Sequence, residues 1–201
     1  YSYMAFIAPG LIMMSIITNS YSNTVSSFFS AKFQRNVEEL LVSPTPNWVI
    51  VLGYVSGGMV RGISVGLLVS IVSLCFVQLP LFNIFYAALF GVLTSFVFSL
   101  AGMINGIFAK KFDDISIIPT FVITPLTYLG GVFYSINLLP DFWQAISKVN
   151  PIVYMINGFR YGFLGVSDIN VWTGFSMLLF FAVLLFTVNL YLLKKGVGVR
   201  T

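Results

Sequence analysis

The chain has 201 residues, of which 58% are hydrophobic and only 8% are charged, and its net charge is +4. An average soluble domain carries about 25% charged residues, and disordered chains are much less hydrophobic than this one. The composition therefore excludes both classes and indicates an integral membrane protein.

Uncharged stretches predict the membrane-spanning helices, since one helix needs about 20 mostly apolar residues to cross the hydrocarbon. Runs such as 67–72 are apolar on every face, which favours helices over the alternating strands of a membrane barrel. The predicted fold class is an all-α polytopic membrane protein, a bundle of five transmembrane helices. We predict these helices over residues 4–30, 48–77, 84–108, 115–134 and 171–193.

The basic residues predict the orientation, because loops on the cytoplasmic side carry an excess of Lys and Arg. With the N-terminus outside and the C-terminus in the cytoplasm, the outer segments hold Lys148 and Arg160, and Arg61 falls inside a predicted span. The inner segments then hold the remaining basic residues, which are Lys32, Arg35, Lys110, Lys111, Lys194, Lys195 and Arg200. This bias predicts the orientation of a multi-pass membrane protein in contact with lipids, and we see no basic, aromatic-rich surface for nucleic acid.

Two absences narrow the chemistry. The sequence contains no His, and Cys75 is its single Cys. Disulfides, zinc clusters, haem ligation and Cys–His catalysis within one chain are therefore excluded, and we predict no catalytic residue, metal ligand or cofactor on this chain. The sequence starts with Tyr1 and has no signal-peptide pattern, so we expect it to be part of a longer protein.

The first inner loop carries a candidate docking element. Apolar residues at i, i+4, i+7 and i+8 predict an amphipathic helix over 31–42 that ends at Ser43-Pro44, with Thr45 capping the next helix. This helix either lies in the headgroup region or docks a soluble partner. Its polar residues, which we take as the docking candidates, are Gln34, Arg35, Asn36, Glu38 and Glu39.

Arg61 is the one charge inside a predicted span, and a guanidinium at membrane depth is costly. No Asp or Glu lies within a predicted span to pair with it. Two interpretations remain open: the side chain reaches the inner surface or a backbone carbonyl, or it contacts an anionic substrate or lipid.

The last third of the chain predicts an irregular outer region. Pro119, Pro125 and Gly130-Gly131 predict a kinked or broken helix within 115–134. Residues 135–170 then contain two short amphipathic helices, one opened by Leu139-Pro140 and one by Asn150-Pro151. This pattern predicts a re-entrant helical hairpin at the outer membrane surface.

At these residues the chain resembles the permease subunit of type-two ABC exporters, which includes bacterial drug, polysaccharide and lipo-oligosaccharide export permeases. The outer motif is Leu139-Pro140, Ile146, Asn150-Pro151 and Arg160, and the inner motif is Glu38-Glu39-Leu40-Leu41 before Pro44. The resemblance covers essentially all 201 residues. Since the family normally has six spans, we expect residues 1–201 to be a single permease domain without the family's elbow helix and first span.

The resemblance implies a multi-pass transporter of the bacterial plasma (inner) membrane with a separate motor. The partners would be two copies of a cytoplasmic ATP-binding subunit, which would hold ATP and Mg, and a second permease copy, as a homodimer. The inner loop would be the coupling helix and the outer hairpin part of the external gate. The candidates for the translocation path or gate are Arg61, Tyr128, Phe133, Asn150, Pro151 and Arg160.

The residues themselves leave several functions open. The sequence has no Gly-rich loop followed by Lys and Ser or Thr, so ATP hydrolysis is not expected on this chain. An ion-gradient-driven secondary transporter would be expected to place Asp, Glu or His inside its spans, and none is there. A structural membrane subunit and an intramembrane enzyme are further alternatives. The residues do not distinguish an amphipathic, drug-like, lipid-linked or saccharide substrate.

Overall fold

The computed structural model describes residues 3–198, so Arg200 of the predicted inner tail lies outside the described residues. Four helices in this part of the chain are long and apolar enough to span a membrane. They are α1 (Tyr3–Phe33), α3 (Asn47–Leu74), α4 (Ile84–Phe108) and α9 (Val171–Lys195). Their bounds agree with four of the five predicted spans to within a few residues.

The predicted span 115–134 is a broken helix, as its prolines indicate. Helix α5 (Asp114–Ile118) continues through a π-helical turn (Pro119–Ile123) into α6 (Thr124–Tyr128). The π turn places the Thr124 hydroxyl on the Pro119 carbonyl, at 2.9 Å. The 15 helical residues rise about 22 Å, and Gly131, with φ of 79°, turns the chain away.

The bundle is built around α1, which packs along α3 and α4. Small residues allow the close approach: a side chain at Gly102 of α4 would lie 2.5 Å from the Tyr21 carbonyl of α1. Gly58, Gly62 and Gly66 of α3 are likewise buried against α1. The spaced glycines of the two helices thus form the backbone contacts of the bundle.

The inner loop differs from its prediction. The helix predicted over 31–42 is α2 (Asn36–Val42), and Phe33 belongs to α1. The break arises because Arg35 adopts a left-handed conformation with φ of 62°. The predicted Thr45 cap is also wrong: α3 starts at Asn47 after Pro46, while the Ser43 hydroxyl donates to Thr45 Oγ1 at 2.8 Å.

The outer hairpin is present as α7 (Asp141–Val149) and α8 (Pro151–Leu164), preceded by a 3-10 turn (Ile136–Leu138). Helix α7 is amphipathic and exposed. Helix α8 differs from its prediction as an amphipathic piece, because most of its residues are buried between α4, α9 and α1. The hairpin therefore inserts one arm into the bundle.

Candidate functional site

The docking candidates of the inner loop lie around α2. Val37 is fully buried and anchors the helix to a cluster with Phe28 and Ile107. With Val37 facing inward, the polar candidates face outward: Glu38 is half-buried, and the exposed ones are Gln34, Arg35, Asn36 and Glu39. This surface has the exposure that docking requires.

Within this surface, Asn36 Nδ2 donates to Gln34 Oε1 at 3.3 Å. Arg35 precedes α2, so it does not form the i, i+4 pair with Glu39 that a continuous helix would provide. The acidic side chains stand in the first turn of α2, where carboxylates complement the helix dipole.

Arg61 lies near the middle of α3 and remains exposed beside α1. Its Nη1 donates to Asn23 Oδ1 at 3.4 Å, a long hydrogen bond. The same side of α1 carries further polar residues that are exposed or half-buried, namely Ser15, Thr18, Asn19, Ser22 and Ser26. The polar face of α1 and the neighbouring Arg61 of α3 therefore lie together, and a charge at membrane depth is unfavourable in contact with lipid.

The outer candidates come together at the turn after α6. The rings of Tyr128 and Phe133 stack with centroids 5.5 Å apart. Asn150 caps α8 through Ile152 N, and its Nδ2 donates to the Leu126 carbonyl at 2.7 Å. Pro151 is the first residue of α8, where its lack of an N–H costs nothing. These contacts join the hairpin to the broken helix.

Arg160 holds the same turn from inside the bundle. It is 1% exposed, and its Nη2 donates to the Gly131 carbonyl at 2.7 Å. The guanidinium also lies 3.8 Å from the centre of the Phe6 ring, a cation–π contact. Among the described residues, Nε and Nη1 have no hydrogen-bond partner. Arg160 is thus a buried charged residue that links α8, α1 and the 131–132 turn.

Two further residues organise these regions and were missed from the sequence. The Asp168 carboxylate accepts from Ser135 Oγ at 2.8 Å and from the Ile136 N–H at 3.1 Å, which ties the loop after α8 to the 3-10 turn. The Lys32 ammonium donates to the Ile107 and Ala109 carbonyls at 2.6 and 2.8 Å. Asp168 could have been noticed as one of two acids in the outer segment; Lys32 gave no signal beyond its charge.

The α4–α5 turn next to Lys32 is fixed by a carboxylate. The backbone N–H groups of Lys110 and Lys111 donate to Asp114 Oδ2 at 2.9 and 3.0 Å. These hydrogen bonds favour the charged form and lower the pKa of Asp114. The inner loops are therefore held by separate contacts, and the structure places the inner candidates, Arg61 and the outer candidates in three distinct groups.

Comparison with known proteins supplies the family. The model of the family described as ABC-2 type transporter matches residues 1–164. The inner membrane transport permease YadH of Escherichia coli strain K12 is 59% identical over 201 residues, which cover 100% of this chain and 78% of that protein. Nodulation protein J of Rhizobium meliloti is 26% identical over 195 residues, which cover 96% of this chain and 74% of that protein. Since the family model matches most of the chain, the protein belongs to the ABC-2 type transporter family and is a membrane-embedded transport permease.

Proposed function

We propose that the chain is the membrane-spanning subunit of an ATP-driven exporter in the bacterial inner membrane, moving an amphipathic, drug-like, lipid-linked or saccharide substrate outward. The observation that carries this proposal is α2, a short helix anchored by one buried residue, with polar and acidic side chains exposed beside it. The relative named inner membrane transport permease supports the membrane and the transport role.

Helix α2 would be the point at which a motor acts. Permeases of this family normally pair with an ATP-binding subunit, and this sequence has no phosphate-binding loop of its own. In the proposed complex, two such subunits hold ATP and Mg and contact Gln34, Arg35, Asn36, Glu38 and Glu39 on each permease. Because Val37 and the end of α1 connect α2 to the bundle, a displacement of α2 would be passed to the spanning helices.

The polar face of α1 would border the translocation path, together with Arg61. The Ser15, Thr18 and Asn19 side chains already donate to carbonyls of α1. The Arg61 charge, which is unfavourable in hydrocarbon, is therefore the stronger indication of a polar path or of a second permease copy across this face. A homodimer would place two such faces opposite each other, with two guanidinium groups near the middle of the membrane. The outer group around Arg160 and Asn150 would then form part of the external gate.

The orientation that follows places the N-terminal end of α1 outside and α2 in the cytoplasm. It is supported by the excess of basic residues in the segments proposed to be inside, including Lys32, Lys110 and Lys111. In this orientation the α7–α8 hairpin faces outward, and the exposed α7 lies at the outer surface.

The experiment that tests the proposal is charge reversal on α2. We expect the double variant Glu38→Lys/Glu39→Lys to lower export and substrate-stimulated ATPase activity at least tenfold, because the docking surface would carry the wrong charge. Membrane yield should be unchanged, since neither carboxylate is buried. The assay measures transport into inverted vesicles with the co-expressed ATP-binding subunit.

The matched control is Asp113→Lys, which reverses an exposed charge in the other proposed inner loop. It should leave transport close to that of the unmodified protein. Normal export by the Glu38/Glu39 variant would remove α2 from the docking site. Export that survives ATP depletion and stops when ion gradients collapse would instead assign a secondary transporter.

A further inference from the structure

A cavity of about 600 Å³ lies at the proposed inner end of the bundle. Its walls come from the ends of α1 and α4, the start of the α4–α5 loop, α2 and the segment after α9. Neither Arg61 nor any outer candidate lines it, so it is separate from the proposed path and gate, whereas Arg35 and Glu38 of the proposed docking surface form part of its wall. Because it opens where spanning helices end, it lies at the depth of lipid headgroups.

The charge of this cavity is unbalanced. Lys32, Arg35 and Lys110 line it, against the single carboxylate of Glu38. Lys32 donates hydrogen bonds to two carbonyls, which are neutral and so leave its charge uncompensated. The positive charge of Lys110 repels that of Lys32. Within residues 3–198, the side chains of Arg35 and Lys110 make no hydrogen bond or ion pair, although the charge of Lys110 also interacts with that of Asp114 beside the cavity. The wall of this concave site therefore carries three cations and one carboxylate.

The rest of the wall is aromatic and apolar. Phe29, Phe33 and Phe108 line the same cavity. Phe33 is 67% exposed and Phe108 is 55% exposed, so both present apolar surface beside the cations. A ligand that satisfies both parts has an anionic head and a hydrocarbon tail.

We propose that this cavity binds an anionic phospholipid of the surrounding leaflet. The phosphate group lies among Lys32, Arg35 and Lys110, and the acyl chains run along Phe33 and Phe108. Basic pockets between membrane helices recognise anionic headgroups in this way, and the planar fork of Arg suits two phosphate oxygens. The inference does not depend on the proposed export function.

Bound lipid would also fix the junction of α1 and α2. Arg35 is the residue at which the chain turns from one helix to the other, and Lys110 belongs to the neighbouring loop. A phosphate held by both would cross-link the two proposed inner loops. The lipid would therefore act as a structural ligand at the base of the bundle.

The test uses a matched pair of adjacent lysines. Lys110 lines the cavity, whereas Lys111, which is also exposed, does not. Binding of phosphatidylglycerol and phosphatidylcholine to the purified full-length protein is titrated by native mass spectrometry at physiological ionic strength. One basic residue near a membrane surface contributes about 1 kcal/mol, so Lys110→Gln should weaken phosphatidylglycerol binding about fivefold, and Arg35→Gln/Lys110→Gln about 25-fold. Lys111→Gln should change it less than twofold.

Four results would overturn the proposal. Equal losses in Lys110→Gln and Lys111→Gln would show a diffuse electrostatic effect. Equal binding of phosphatidylglycerol and phosphatidylcholine would show that the cavity does not select an anionic headgroup. Displacement of the lipid by millimolar inorganic phosphate, or by the ATP-binding subunit at one copy per chain, would assign the cavity to a free anion or to the docking surface.

Discussion

Helices α2 and α8 are both short and both connect spanning segments, yet they relate to the bundle in opposite ways. Among the seven residues of α2, only Val37 is buried. In α8, eleven of 14 residues are buried, among them Arg160. The comparison shows that the outer hairpin is part of the structural core, whereas the inner helix buries only Val37, with Leu40 and Leu41 partly buried against the same cluster, and keeps its polar candidates outside the core. Substitutions in α8 should therefore act on stability, and those at α2 on coupling.

The largest expected effect is at Arg160. Arg160→Ala removes the hydrogen bond to Gly131 and the contact with Phe6, and it leaves a cavity within α8's packing. We expect a loss of about 3 kcal/mol in stability, measured as the midpoint of heat-induced loss of the monodisperse peak in detergent.

The control for Arg160 is Arg35→Ala, which removes the same side chain from the exposed inner turn. It should shift that midpoint by no more than a degree or two. Equal losses in the two variants would contradict the distinction between a buried outer arm and a free inner helix.

The second effect is at Gly162, in the contact between α8 and α4. A Cβ at this position would lie 2.5 Å from the Ala87 backbone nitrogen, so the helices must separate. We expect Gly162→Ala to cost about 2 kcal/mol through overpacking.

Gly53→Ala on α3 is the matched control, since a Cβ there meets nothing within 4 Å. It should stabilise the protein slightly, because Ala loses less chain entropy than Gly in a helix. If Gly162→Ala were as well tolerated as Gly53→Ala, α8 would not be packed as tightly as the structure places it.

The sequence predicts most of the spanning architecture, because charge and hydropathy alone decide which segments can enter a bilayer. It also predicts the two arms of the hairpin from Pro140 and Asn150-Pro151. The sequence predicted α8 as amphipathic and not as buried on most sides. Gly158 and Gly162, four residues apart, nevertheless carry the small-residue pattern of close helix packing.

The start of α2 was not predictable in the same way. Phe33 and Val37 keep the helical spacing of apolar residues across Gln34 and Arg35, so the pattern shows no break there. Arg also has no preference for a left-handed turn. The candidates were chosen from residue type and motif, so the sequence could not tell that Arg160 is a buried link while Glu39 is free. Those differences depend on tertiary contacts, such as Arg160 with Phe6, more than 150 positions apart.

The smallest effect on stability, and the sharpest test of the inner helix, is at Arg35. Its φ of 62° is unfavourable for a residue with a side chain, so Arg35→Gly should raise stability by about 0.5 kcal/mol after the greater flexibility of the unfolded chain is deducted. Arg35→Asn tolerates the same turn and also lacks the guanidinium. If Arg35 contacts the motor, both variants should lose ATPase stimulation while their unfolding midpoints stay level or rise, and Arg35→Lys should retain part of it. Lower midpoints in both Gly and Asn variants would show that the Arg35 side chain supports the fold, and α2 would then resemble α8 more than the structure indicates.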